Sequence, residues 1–189
     1  VLGCIEDGKI LFTERMATDS GKTELDYAIS LKMVLELREI KVSEITGAII
    51  GSVVPPVTSL MREAIRKVTG QEALVVNVDM NIGLEVLMDN PSSVGTDLIV
   101  GAVAGINRYP VPLILIDMGT ATTICVVNEN KQYIGGMILP GIGVSMNSLT
   151  SRTAQLPRIS LDPPKRLIGK NTVECMQSGA LYGNASCID

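Results

Sequence analysis

A chain of 189 residues with 46% apolar side chains can bury a core of its own, and one Phe, no Trp and 18 glycines make that core aliphatic and closely packed, as in an α/β protein, rather than coiled-coil or disordered. Sixteen basic against 20 acidic residues, with no Lys/Arg cluster, leave no electrostatic footprint for nucleic acid. Without histidine, a zinc site or a His-based catalytic system is excluded or nearly so, and the scattered Cys4, Cys125, Cys175 and Cys187 form no C-x-x-C pair. Reduced thiols in a cytoplasmic protein are expected, and no segment has the profile of a membrane span or a signal peptide.

Residues 1–18 read as strand, Glu6-Asp7-Gly8 turn and a second strand from Lys9 to Thr18. Gly21-Lys22-Thr23 invites a phosphate-loop reading, but Met16 stands where such a loop needs its first glycine. Thr23 instead reads as the cap of a helix carrying Leu25, Ala28, Ile29, Leu31, Val34 and Leu35. An apolar strand is predicted over 46–54, ended by Pro55-Pro56, then a helix over 57–68 stopped by Gly70 and a strand over 73–78. This alternation predicts a sheet flanked by helices. After a turn at 89–93, Val94-Gly95-Thr96-Asp97 opens a small-residue helix, where Asp97 reads equally well as a partner of the helix dipole.

The stretch from Leu113 to Gly136 organises the chain. Four aliphatic residues, Leu113 to Ile116, run into Asp117 and then Met118-Gly119-Thr120-Ala121-Thr122-Thr123, which reads as a strand delivering a carboxylate to a hydroxyl-lined turn. Phosphate chemistry suits such a bend: glycine admits a ligand close to the backbone, Thr hydroxyls and amides donate to phosphate oxygens, and a carboxylate holds a cation. An ordinary hairpin built from turn formers would read the same way. Ile124 to Val127, Asn128-Glu129-Asn130 and Lys131 to Ile134 continue as a hairpin, with Gly135-Gly136 to Gly143 as a glycine-rich strand exit. Met146 occupies the last glycine position of a dinucleotide fingerprint begun at Gly141, so none exists. A helix over 144–154, a proline-rich connector over 156–164 and a last helix from Asn171-Thr172, with Thr172 as a cap residue, complete the chain. The order in 124–134 repeats that of 1–13, which implies a duplicated unit whose first copy has its opening strand upstream of Val1.

Gly95-Thr96-Asp97, Asp117-Met118-Gly119-Thr120-Ala121-Thr122-Thr123, Gly135-Gly136-x-Ile138-x-Pro140-Gly141, Leu156-Pro157-Arg158 and Gly169-Lys170-Asn171-Thr172-x-Glu174-x-Met176-Gln177-Ser178-Gly179, together with Ser52-Val53-Val54-Pro55-Pro56, occur in the order found in type III pantothenate kinases, and the chain resembles that family over its length. The resemblance implies an α/β fold of two ribonuclease H-like domains of the actin-like ATPase superfamily, over 1–110 and 111–189, the first lacking its opening strand and phosphate loop and the second its C-terminal part. It further implies ATP-dependent phosphorylation of pantothenate, with Asp97 as base, Gly95, Thr96, Asp97, Leu98 and Thr172 lining the substrate site, Gly119 and Thr120 on ATP phosphate, and Asp117 holding potassium or ammonium. Mg²⁺ would arrive with ATP, and a homodimer with no nucleic-acid or membrane partner is expected. This piece alone is expected to be inactive. The family's Gly-Ala-Asp-Arg stands here as Gly95-Thr96-Asp97-Leu98, which leaves open a kinase for another hydroxyl substrate or a non-catalytic paralogue.

Overall fold

A computed structural model describes residues 1–189. The chain forms two compact units, Val1–Ile82 with Asn90–Gly101 and Gly83–Asp89 with Ala102–Asp189. Both mix strands and helices, as the alternating pattern predicts.

The first unit opens with an antiparallel hairpin of β1 (Leu2–Glu6) and β2 (Lys9–Glu14). Its turn needs two left-handed residues in succession, and Asp7 (φ 49°) and Gly8 (φ 75°) supply them. The second strand ends four residues short of Thr18 because the register sets Glu14 opposite Leu2, leaving little of β1 to pair with anything beyond. Helix α1 (Glu24–Leu37) starts in a capping box: the Thr23 amide donates to the Asp26 carboxylate at 2.8 Å while the Asp26 amide donates to Thr23 Oγ1 at 3.3 Å. It buries Tyr27, Ala28, Leu31 and Leu35. The Tyr27 hydroxyl accepts from the Asp19 amide and donates to the Asp19 carbonyl, each at 2.9 Å, and Lys22 lies over the same ring. The Gly-Lys-Thr loop is thus tied to the core.

Strand β3 (Ala48–Ile50), helix α2 (Pro55–Thr69) and strand β4 (Ala73–Val75) form a parallel crossover unit, with β3 paired to β4. Both strands are shorter than the apolar runs that contain them. Only three residues of each find partners, and beyond Ile50 the Ser52 hydroxyl accepts from the Val54 amide and turns the chain into α2. The helix starts at Pro55, two residues ahead of expectation, because proline suits a first turn whose amides have no acceptor. Helix α3 (Thr96–Arg108) has its first turns in this unit and its last in the second.

The second unit is built on one sheet in the order β5-β8-β7-β6, comprising β5 (Glu85–Val86), β6 (Leu113–Met118), β7 (Ala121–Val127) and β8 (Gln132–Pro140). The last three run antiparallel in succession. Gly135 and Gly136 lie inside β8 rather than at its exit, since a side chain on Gly136 would strike the Ile124 carbonyl of β7 and only glycine lets the strands meet there. The hairpins β1–β2 and β7–β8 share an irregularity, a register shift at Cys4/Ile5 in one and at Val126/Val127 in the other, as a repeated unit would. Helices α4 (Ile142–Arg152) and α5 (Thr172–Ser186) bury Met146, Met176 and Ala180 against one another, with Leu156 and Ile159 of the connector packed on them. All four cysteines are free thiols, and no helix is long and apolar enough to cross a membrane.

Thr122 of β7 is 4% exposed and its hydroxyl has no hydrogen-bond partner. A buried unpaired hydroxyl carries a desolvation cost on the order of 1–3 kcal/mol that an isosteric apolar side chain avoids. Thr122→Val should therefore raise the urea midpoint of unfolding, and a lowered midpoint would show that the hydroxyl is satisfied by something bound.

The amide and hydroxyl of Thr23 hold the Asp26 carboxyl below its ordinary value of 3.8. A depressed folded-state value adds stability that is present above the unfolded value and lost as pH falls through the folded one. Asp26→Ala should accordingly destabilise the protein at pH 7, and the gap from the parent should close as pH falls below 3.8, followed by circular dichroism during urea titrations at a series of pH values.

Candidate active site

The residues singled out in the sequence gather in three places. In the first unit, Gly95, Thr96, Asp97 and Leu98 form the opening of α3. Thr96 Oγ1 donates to the Ser52 carbonyl at 2.9 Å, fastening the helix start to the segment that leaves β3. Asp97 is exposed, and its Oδ1 accepts from the Leu98 amide at 3.0 Å. That amide also reaches the Gly95 carbonyl, at 3.1 Å. A side chain at position 95 would collide with the same Oδ1, so glycine there is what allows the carboxylate to fold back over the helix start. None of the ion pairs in the structure includes Asp97. One carboxylate oxygen is therefore oriented by backbone, and the other is available to solvent or a ligand. Leu98 is half-buried and brings no charge.

In the second unit, Asp117 stands near the end of β6, opposite Thr123 of β7, and is exposed. Only Gly119 and Thr120 make the turn, since Thr122 and Thr123 are already in the ladder of β7. The hydroxyl-lined bend expected from the sequence is thus one hydroxyl, that of Thr120. The Gly119 amide donates to the Ala121 carbonyl at 2.9 Å, and the Gly141 amide donates to the Thr120 carbonyl at 3.0 Å. Gly141 lies so close that a side chain there would strike the carbonyls of Gly119 and Thr120. It is also the N-terminal cap residue of α4 and has no side chain to cap with, so α4 starts directly against the turn.

Thr172 is the first residue of α5, on a different element of the same unit. The cap is Asn171, one residue earlier than the sequence suggested: its Oδ1 accepts from the Glu174 amide at 2.8 Å, the contact for which an Asx side chain is well suited. This leaves the exposed Thr172 hydroxyl outside the capping arrangement. The Lys170 amide donates to the Glu174 carboxylate at 3.2 Å, closing the loop in front of the helix.

Nowhere do three or more Cys, Asp or Glu side chains come together as a protein-only metal cage. Single exposed carboxylates such as Asp117 suit a cation that completes its shell with water and phosphate oxygens. Sequence reasoning quoted Ser52 within a longer motif without giving it a role, and took Gly141, among the glycines of 135–143, as fit for close packing and a bend, which its contact with the turn bears out. Their parts, one accepting through its backbone carbonyl and the other allowing close approach, leave no side-chain signature.

The profile of the type III pantothenate kinase family matches residues 1–189. A type III pantothenate kinase from Bacillus cytotoxicus is 46% identical over 183 residues, which is 97% of this chain and 70% of that relative. A crystal structure from Campylobacter jejuni, described as a "conserved putative Baf family transcriptional activator", superposes with a TM-score of 0.42 at 22% identity, covering 60% of this chain and 52% of the other. The match over every residue, and the close relative over nearly all of them, establish that the chain belongs to the type III pantothenate kinase family.

Proposed function

We propose a division of labour among this chain's residues for the reaction that comes with its family: ATP-dependent phosphorylation of pantothenate to 4'-phosphopantothenate, the first step of coenzyme A biosynthesis. Asp97 takes the proton from the primary hydroxyl of pantothenate as that oxygen attacks the γ-phosphorus of ATP. The new bond is phosphorus to substrate oxygen, the broken one is phosphorus to the β–γ bridging oxygen, and ADP leaves. The observation that carries this reading is the free carboxylate of Asp97, turned by the Leu98 amide and paired with no cation. A carboxylate neutralised by an ion pair would be a poorer base, whereas one held by a single amide is oriented yet basic.

Gly95, Thr96, Leu98 and Thr172 line the pantothenate site in this reading, and Gly119 and Thr120 meet ATP phosphate. Asp117 holds a monovalent cation, potassium or ammonium, while Mg²⁺ accompanies the nucleotide. Phosphoryl transfer asks chiefly for alignment and charge neutralisation, which two exposed carboxylates and a tight turn can serve. The chain is read as two related ribonuclease H-like domains of the actin-like type, over 1–110 and 111–189, acting in a cytoplasmic homodimer. The register shift shared by β1–β2 and β7–β8 supports that kinship. Leu98 favours one second reading, a kinase for a different small alcohol, because an aliphatic side chain stands where the family has an Arg donor.

Asp97→Asn keeps the acceptor for the Leu98 amide and removes the base. It should lower kcat for pantothenate-dependent ADP formation by roughly 10²–10⁴-fold with the unfolding midpoint unchanged, and a variant as active as the parent would remove Asp97 from the mechanism. Asp117→Asn should abolish the stimulation of turnover by potassium or ammonium over sodium. Retained stimulation would place the cation elsewhere. A panel of small alcohols assayed beside pantothenate decides between the two substrate readings.

A further inference from the structure

Helix α5 fastens the connector in front of it through its side chains. Gln177 and Ser178 are two of the three buried polar residues of the chain. Gln177 Nε2 donates to the Ser160 carbonyl at 3.1 Å, and Ser178 Oγ donates to the Leu167 carbonyl. Nearer the helix start, Cys175 Sγ donates to the Gly169 carbonyl at 3.4 Å, and the Glu174 carboxylate accepts from the Lys170 amide at 3.2 Å. Four side chains within two turns of one helix thus hold four points of the backbone between 160 and 170. Gly169 lies so close to the helix start that a Cβ there would strike the Cys175 amide and Glu174.

Burial contributes little to the last part of this connector, since Leu167 and Ile168 are 64% and 83% exposed. Its path therefore depends on the bonds from α5. Of the three that hold residues 167–170, the one from Ser178 comes from a buried side chain, whereas Cys175 and Glu174 are exposed and water competes for their bonds. Asn171 is engaged as the helix cap, so among the hydrogen-bonding side chains from Asn171 to Ser178 only that of Thr172 is left uncommitted. Resting on the reading that sets Thr172 at pantothenate, we propose that Ser178 is a positioning residue for substrate recognition. By holding the Leu167 carbonyl it fixes the loop over 167–171 against the start of α5, and with it the direction in which the Thr172 hydroxyl is presented.

Ser178→Ala removes this bond, and Glu174→Ala loosens the same loop from an exposed position. In each variant the KM for pantothenate should rise about tenfold, the worth of one hydrogen bond, with kcat and the KM for ATP unchanged. In Ser178→Ala the Lys170 amide, whose partner Glu174 is untouched, should also exchange with solvent faster than in the parent. The inference is overturned if Ser178→Ala leaves the pantothenate KM unchanged, if kcat and both KM values shift together as a general loosening would make them, or if the Lys170 amide exchanges at the parent's rate. Should Ser178→Ala not fold, Glu174→Ala decides by the same kinetic criteria. Thr172→Val separates this result from the reading beneath it: an unchanged pantothenate KM there removes Thr172 from the substrate site, while Ser178→Ala still answers for the loop.

Discussion

In the second unit, backbone meets backbone where no side chain could stand. Gly141 sits against the carbonyls of Gly119 and Thr120, and this contact lets β8 turn into α4 directly beneath the turn that follows Asp117. Any larger residue would push the helix start away from that turn. The start of α3 follows the same principle, since Gly95 leaves room for the Asp97 carboxylate to fold back onto the Leu98 amide. Gly95 therefore bears on the Asp97 carboxylate itself, and Gly141 on the turn that follows Asp117. Neither carboxylate belongs to an ion pair.

Local chemistry was legible in the sequence, and pairing was not. The Asp7-Gly8 turn, the Thr23 cap and the stop at Gly70 each depend on residues adjacent in the chain, and each is present. Strand lengths depend on what lies opposite. The apolar run over 46–54 yields a strand of three residues because only Ala73–Val75 pairs with it, and β2 stops where β1 runs out. Gly135-Gly136 looked like an exit because glycine usually weakens a strand, whereas the close approach of Ile124 makes it a requirement inside β8. The shift of the α5 cap from Thr172 to Asn171 is a matter of one residue between two good capping side chains.

The site was legible as residue types in order, and its supports were not. Asp97, Asp117, Thr120 and Thr172 could be named from motifs, and family membership follows from the same motifs. Towards α3, Ser52 works through its carbonyl, which every residue possesses, so nothing in the sequence marks it for that contact. The orphan hydroxyl of Thr122 was hidden for another reason: in a Thr-rich run, only the strand register decides which hydroxyl is buried.

The Thr96–Ser52 bond limits what that hydroxyl can recognise. A threonine hydroxyl owns one hydrogen, and here the Ser52 carbonyl occupies it, leaving lone pairs alone to face outward. Whatever group settles against Thr96 Oγ1 must bring its own hydrogen, as an alcohol or an amide N–H can and an ionised acid cannot. The opening of α3 thereby presents, at Thr96 Oγ1, an acceptor and no donor.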